Sequence, residues 1–180
     1  MGYDEDNLTK DLKKNKELAF NQLVKLYQER LYFHIRKIVI NHEDANDVLQ
    51  NTFLKVWNNL DTFRQESALY TWLYRIATNE AITFLNSKKR RNWIPLQDAT
   101  DPLMNSLKAD PYFEGDKLQM KLQQAILKLP DKQRIVFNMK YFDEIKYEDM
   151  SKILNTSVGA LKASFHHAVK KIEEFLLNTD

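Results

Sequence analysis

The sequence predicts an all-α protein built as two small helical bundles joined by a flexible linker, the second bundle ending in a helix-turn-helix. Three observations predict it. Apolar residues recur at three- and four-residue steps through most of the 180 positions, the pattern of helices with one buried face. Glycine and proline are scarce, at three and four residues, and three of the prolines fall in one stretch where that periodicity fades. Hydrophobic residues at 43% stand beside charged residues at 29%, which suits helices with solvated outer faces better than a strand-rich fold.

In chain order, Leu18, Phe20, Leu23, Val24, Tyr27, Leu31, Ile35 and Ile38 mark a helix over about residues 16 to 40, broken at "NHED". A second helix runs from about Asp44 to Leu60 on Val48, Leu49, Phe53, Val56, Trp57 and Leu60, and a third from about Ala68 to "NSKKRR" on Leu69, Trp72, Leu73, Ile76, Ala77, Ile82 and Leu85. These three form the first bundle, residues 1 to 91. From 92 to 115 the text becomes "NWIPLQDATDPLMNSLKADPYFEG", where each proline pushes its predecessor toward extended backbone; this is the linker. Periodicity resumes at about Asp116 and stops at Pro130. Asp131 is the expected cap of "KQRIVFNMKYF", Tyr147 begins "YEDMSKIL", and Thr156 or Ser157 caps a last helix, giving a second bundle over 116 to 180.

Composition narrows the function. A net charge of +2 does not by itself announce nucleic acid, so the distribution of charge must decide. The absence of cysteine removes disulfides and thiolate metal sites, and no apolar run reaches bilayer length; with a polar opening segment, the expectation is a cytoplasmic protein. "HEDAND" does not match a metalloprotease helix, and there is no glycine-rich phosphate loop or nucleophile elbow. No catalytic residue, metal or cofactor is expected. The adjacent His166 and His167 point about 100° apart on a helix and lack the spacing of a metal pair.

The last helix carries the clearest signal. Val158, Leu161, Phe165, Ala168, Ile172 and Leu176 share one stripe, while Gly159, Lys162, Ala163, His166, His167 and Lys170 share the opposite side. Glycine costs stability there, but small residues let a backbone approach a groove wall, and lysines neutralise phosphate. With "YEDMSKIL" and the turn "NTS", including Ser157, this spacing is a helix-turn-helix whose second helix reads a major groove. Elsewhere, Lys88, Lys89, Arg90 and Arg91 end a helix that also bears Tyr70, Trp72, Tyr74, Arg75, Asn79 and Thr83, so aromatic, amide and cationic groups share one element suited to unpaired bases. The loop before it, with Phe63, Leu69 and Tyr70, is placed to close over an extruded base. The helix from Asp44 instead offers Asp47, Gln50 and Asn51 beside Phe53 and Leu54, a surface for a basic partner protein.

"DANDVLQNTFLKVWNNL", "FRQESALYTWLYRIATNEA", "LQQAILKLPDKQRIVFNMKYF" and "YEDMSKILNTSVGALKASFHHAVKKI", in this order and spacing, resemble a bacterial sigma factor of the extracytoplasmic-function (ECF) group. The resemblance implies a non-enzymatic subunit with regions 2 and 4, directing core RNA polymerase to promoters and helping open them. Region 2 would dock on the β′ clamp through Asp47, Gln50 and Asn51, with Asn51 standing where the family usually has glutamate. It would read and melt the −10 element through 63 to 91, with Leu69 and Tyr70 in the base-capturing loop. Region 4 would read the −35 element through Lys162, Ala163, His166 and His167 and contact the β flap. An anti-sigma protein is an expected partner, and a stable homo-oligomer is not. A linker of about 25 residues extends to roughly 80 Å, enough for elements two DNA turns (about 70 Å) apart. The competing reading is an autonomous helix-turn-helix regulator.

Overall fold

A computed structural model of the protein describes residues 15 to 63, 68 to 92 and 117 to 178, with the side chains of Thr62, Arg91 and Asn92 outside that description. The expected linker and the centre of the expected base-capturing loop, 64 to 67, lie outside the described residues as well. Seven α-helices are found among the described residues: α1 (Lys16–Val39), α2 (His42–Asn59), α3 (Leu69–Asn92), α4 (Lys117–Leu127), α5 (Asp131–Tyr141), α6 (Tyr147–Leu154) and α7 (Val158–Asn178), with a 3-10 turn at Leu60–Thr62.

Local chemistry sets most of the boundaries. Asn15 accepts from the Leu18 N–H at 3.1 Å to start α1, and Asn41 accepts from the Asp44 N–H at 3.0 Å, so α2 begins at His42, ahead of the expected Asp44. Between them Ile40 closes α1 with φ 71°, a strained backbone for a β-branched residue, its N–H bonded to the Arg36 carbonyl. Asp131 is not the cap of α5. Pro130 occupies that position without a side-chain bond, and the Asp131 carboxylate turns to Arg134 and Lys89 instead.

The α1, α2 and α3 helices pack on Leu23, Leu31, Ile35, Val48, Val56 and Leu73. In the second bundle α4, α5 and α7 enclose Ala125, Ile126, Leu129, Phe137, Ala168 and Ile172, with the Phe137 and Phe165 rings stacked at 5.7 Å. The larger cluster does not stop at the bundle boundary: Ile135, Val136, Met139, Ile145, Met150, Ile153 and Leu161 belong to it, and α5 lies on α1 while α6 lies on α3.

A polar seam crosses this junction. His34 is 1% exposed on the apolar side of α1, with Nδ1 2.6 Å from Asp143 Oδ2 and Nε2 2.8 Å from the Thr78 hydroxyl. That hydroxyl donates its proton to the Tyr74 carbonyl at 2.6 Å, so toward His34 it accepts. The ring is thus held at both nitrogens, between a carboxylate and a hydroxyl. Lys37 pairs with the other oxygen of Asp143, and Asn138 donates to the Lys37 carbonyl at 3.1 Å.

Burial raises the Asp143 carboxyl, but the hydrogen bond and charge of His34 and the nearby Lys37 outweigh it and hold the group below the usual carboxylate range. Burial likewise pushes the Tyr74 phenol up to about 12, with Asp143 adding to the effect and Arg30 opposing it. A depressed carboxyl stabilises the fold above its unfolded pKa and loses that contribution as pH falls through the folded one. Asp143→Asn should therefore cost about 3 kcal/mol of unfolding free energy at pH 7, and the gap to wild type should narrow below about pH 4. Urea denaturation of both proteins across that range checks the sign; a gap independent of pH would contradict it.

Candidate nucleic-acid and polymerase interfaces

Helical periodicity turns α2 so that Asp47, Gln50, Asn51 and Leu54 form one exposed stripe, with Leu54 56% exposed. Phe53 does not join it. Its ring stands edge-on to Phe20 of α1 at 6.2 Å, and Trp57 meets the same ring at 5.1 Å, so both aromatics fasten α2 to α1. Asp44, in the first turn, pairs with Lys88 and ties α2 to the far end of α3.

On α3, Arg75, Asn79, Thr83, Asn86 and Arg90 are all exposed and recur at steps of three or four residues, a continuous polar face. Asn86 extends the expected set; its signal was its three- and four-residue spacing from Thr83 and Arg90. The aromatic part of the expectation needs correction. Leu69 is the first residue of α3 and only 2% exposed, so it is a core residue and not a free loop side chain. Trp72 is half-buried against Phe63, ring centres 5.0 Å apart. Tyr70 donates its hydroxyl proton to Asp149, and Lys89 pairs with Asp131, both acids belonging to the second bundle. The Arg91 side chain lies outside the described residues.

The turn between α6 and α7 is closed by its own polar groups. Asn155 adopts the left-handed conformation, φ 49° and ψ 49°, which asparagine tolerates, and its N–H and that of Thr156 both reach the Ser151 carbonyl. Ser157 is the cap of α7, its hydroxyl accepting from the Ala160 N–H at 3.3 Å. Met150, Ile153 and Leu161 are buried where the two helices meet. The outward side then presents Ser157, Gly159, Lys162, Ala163, His166, His167 and Lys170, all exposed. The Lys162 ammonium lies 5.8 Å from the centre of the Tyr147 ring, which Lys140 also approaches, so its aliphatic stem has a platform at the head of α6. A methyl group added at Gly159 would meet nothing within 4 Å, so the fold itself does not require glycine there. The His166 and His167 rings sit 6.0 Å apart at 57°, and no group of three metal-ligating side chains occurs among the described residues.

The structure thus carries three surfaces: an acidic and apolar stripe on α2, a polar face on α3, and a small-and-cationic face on the second helix of a helix-turn-helix. No described helix is long and apolar enough to cross a membrane. Comparison with known proteins accounts for the combination. Residues 23–91 match the family model of Sigma-70 region 2, and residues 119–172 that of Sigma-70, region 4. The chain is 33% identical over 175 residues to the ECF RNA polymerase sigma factor SigW of Bacillus subtilis, covering 93% of this chain and 94% of that one. Identity to the ECF RNA polymerase sigma-E factor of Escherichia coli K12 is 31% over 174 residues, covering 92% and 91%. Among solved structures, the fold is shared with the sigma factor RpoE in complex with the anti-sigma factor NepR from Bartonella quintana, at 24% identity and a TM-score of 0.71 over 89% of this chain and 98% of that one. It is shared also with CnrH in complex with the cytosolic domain of CnrY, at 21% identity and a TM-score of 0.72 over 98% and 100%. With both regions present in order and near-complete alignment to curated relatives, the chain belongs to the ECF sigma factors, the promoter-specificity subunits of bacterial RNA polymerase.

Proposed function

We propose that the α2 stripe of Asp47, Gln50, Asn51 and Leu54 docks on the β′ clamp of core polymerase, that the α3 face reads and helps melt the −10 element, and that α7 reads the −35 element. The single observation that supports this most is the outward side of α7: small residues and cations, all exposed, on the second helix of a helix-turn-helix. Phosphate contacts from Lys162 and Lys170 set the position on DNA, while Ala163, His166 and His167 face the base edges. Arg75, Asn79, Thr83, Asn86 and Arg90 give the α3 face the cations and amides that a strand backbone needs. The β flap is the expected contact of the second bundle. The factor acts in the cytoplasm, without catalytic chemistry of its own, and an anti-sigma protein is its expected regulator, in keeping with the complexes formed by its structural neighbours.

Neither DNA face is cationic enough to bind tightly alone at physiological salt, so selectivity arises when polymerase holds both domains on one promoter. This separates the sigma reading from an autonomous regulator, which would bind its site tightly without polymerase.

Asp47→Arg places a like charge against a basic clamp and should weaken core polymerase binding at least about tenfold with thermal stability unchanged. Unchanged affinity for core in a titration would remove Asp47 from the interface. Lys162→Ala with His166→Ala should abolish preference for an intact over a scrambled upstream element in run-off transcription with core polymerase. Equal preference in variant and wild type would exclude that face. Gly159→Ala should leave the fold intact or stabilise it by up to about 1 kcal/mol, while weakening upstream-element recognition because its methyl group meets the groove wall. Calorimetry and promoter competition measure the two effects separately; full recognition by the alanine variant would show that close approach is not needed.

A further inference from the structure

The four histidines of the chain fall into two pairs. His34 is held between Asp143 and Thr78, and His42 between the Tyr32 hydroxyl and the Asn46 amide. His166 and His167 are exposed on α7 with their ring centres 6.0 Å apart, and no hydrogen bond or ion pair reaches either ring among the described residues. Nor do the helices packed on α7 aim a free carboxylate at them. The charges of α4 are Lys117, Lys121 and Lys128, the last over the Phe175 ring. On α5, Asp131 pairs with Arg134, leaving Lys132 and Lys140, and Lys140 lies by the Tyr147 ring. On α6, Asp149 stands 3.9 Å from Lys152, and Glu148 pairs with neither ring. Along α7 itself the charges one turn away are Lys162, Lys170 and Lys171, while Glu173 and Glu174 lie further on, Glu174 near Lys170.

We propose that His166 and His167 read the upstream element as imidazolium groups, so that recognition takes up protons and favours base edges made only of acceptors, such as guanine O6 and N7. This rests on the assignment of α7 as the −35 reader. The helix carries no arginine from Val158 to Asn178, so no guanidinium fork is present to bind a guanine edge. A neutral imidazole offers one donor and one acceptor, and therefore suits an amino group as well as a carbonyl. The protonated ring offers two donors and no acceptor, which removes that ambiguity. Imidazole reaches less far than guanidinium, and Ala163, one turn before both rings, with Gly159 a turn earlier, keeps the helix flank low enough for the rings to enter the groove. Phosphates at the groove edge then supply the anion that the fold withholds, and a nearby anion favours the charged form of the ring. The sign follows. Binding that favours the proton is fully aided below the range where the free ring titrates, and the aid is lost as pH rises through the range of the bound ring. Histidine makes that change between about pH 5 and 8.

The test is run-off transcription by the full chain with bacterial core polymerase, on a promoter selected from a pooled library and on the same promoter with its upstream element scrambled. The ratio of the two transcripts cancels the response of polymerase itself to pH. For the wild type that ratio should be at least about fivefold higher near pH 6 than near pH 8, and His166→Gln with His167→Gln should show no difference between the two. A wild-type preference equal at both pH values, or a glutamine variant that keeps the wild-type dependence, overturns the proposal and leaves α7 as the reader. No preference for the intact element at either pH overturns the −35 assignment along with it. Ring signals from nuclear magnetic resonance give a second readout that a merely structural role would not move. At low salt, a duplex bearing the selected element should raise the pH at which the His166 and His167 rings titrate and leave His34 and His42 where they were. Titrations of His166 and His167 that stay in place on addition of the duplex also overturn the proposal.

Discussion

Asp143 accepts from the His34 ring on one side and pairs with Lys37 on the other, joining α1 to the turn after α5, more than a hundred residues away in the chain. Its surroundings explain why the domains pack in one relative orientation. A purely apolar junction tolerates sliding, because dispersion and area burial are non-directional. A buried imidazole ring with a carboxylate at one nitrogen and a hydroxyl at the other does not, since a small displacement leaves a buried polar group without its partner. The apolar cluster around Ile35, Leu73, Met139 and Met150 supplies the attraction, and the seam supplies the register. Tyr74, buried beside the same histidine at 4.8 Å between ring centres, stays a neutral phenol in this setting and completes the packing without adding a third charge.

Much of the architecture was legible because it is written in local periodicity. The start of α1, the span of α3 and the opening of α7 at Val158 follow directly from apolar spacing and punctuation. Caps were harder: Asn41 moved α2 upstream, and Pro130 displaced Asp131, because several adjacent residues can each cap and only the backbone path selects one. The exposed stripes on α2 and α7 were readable for the same reason as the helices. Aromatic and apolar residues near the polar face of α3 were not, since spacing cannot distinguish a Leu69 or Trp72 that packs inward from one that stays free. Contact between the bundles was invisible for a further reason: it depends on pairs such as Tyr70 with Asp149 and His34 with Asp143, which no window of sequence contains. The one available hint was His34 itself, a titratable residue three positions after Leu31 on an otherwise apolar stripe.

Region 4 therefore has two cores of different kinds. Phe137, Ala168 and Ile172 with their neighbours are enclosed by its own helices, whereas Ile135, Met139, Met150 and Ile153 belong to a cluster continued by region 2. The α5 helix serves both, with Phe137 turned to one side and Met139 to the other. Without region 2, region 4 would keep the core of its own helices but bare an apolar flank.

That flank bears on how long the protein survives in a cell. Uncovered, those contiguous apolar side chains would be the kind of surface that chaperones and proteases recognise.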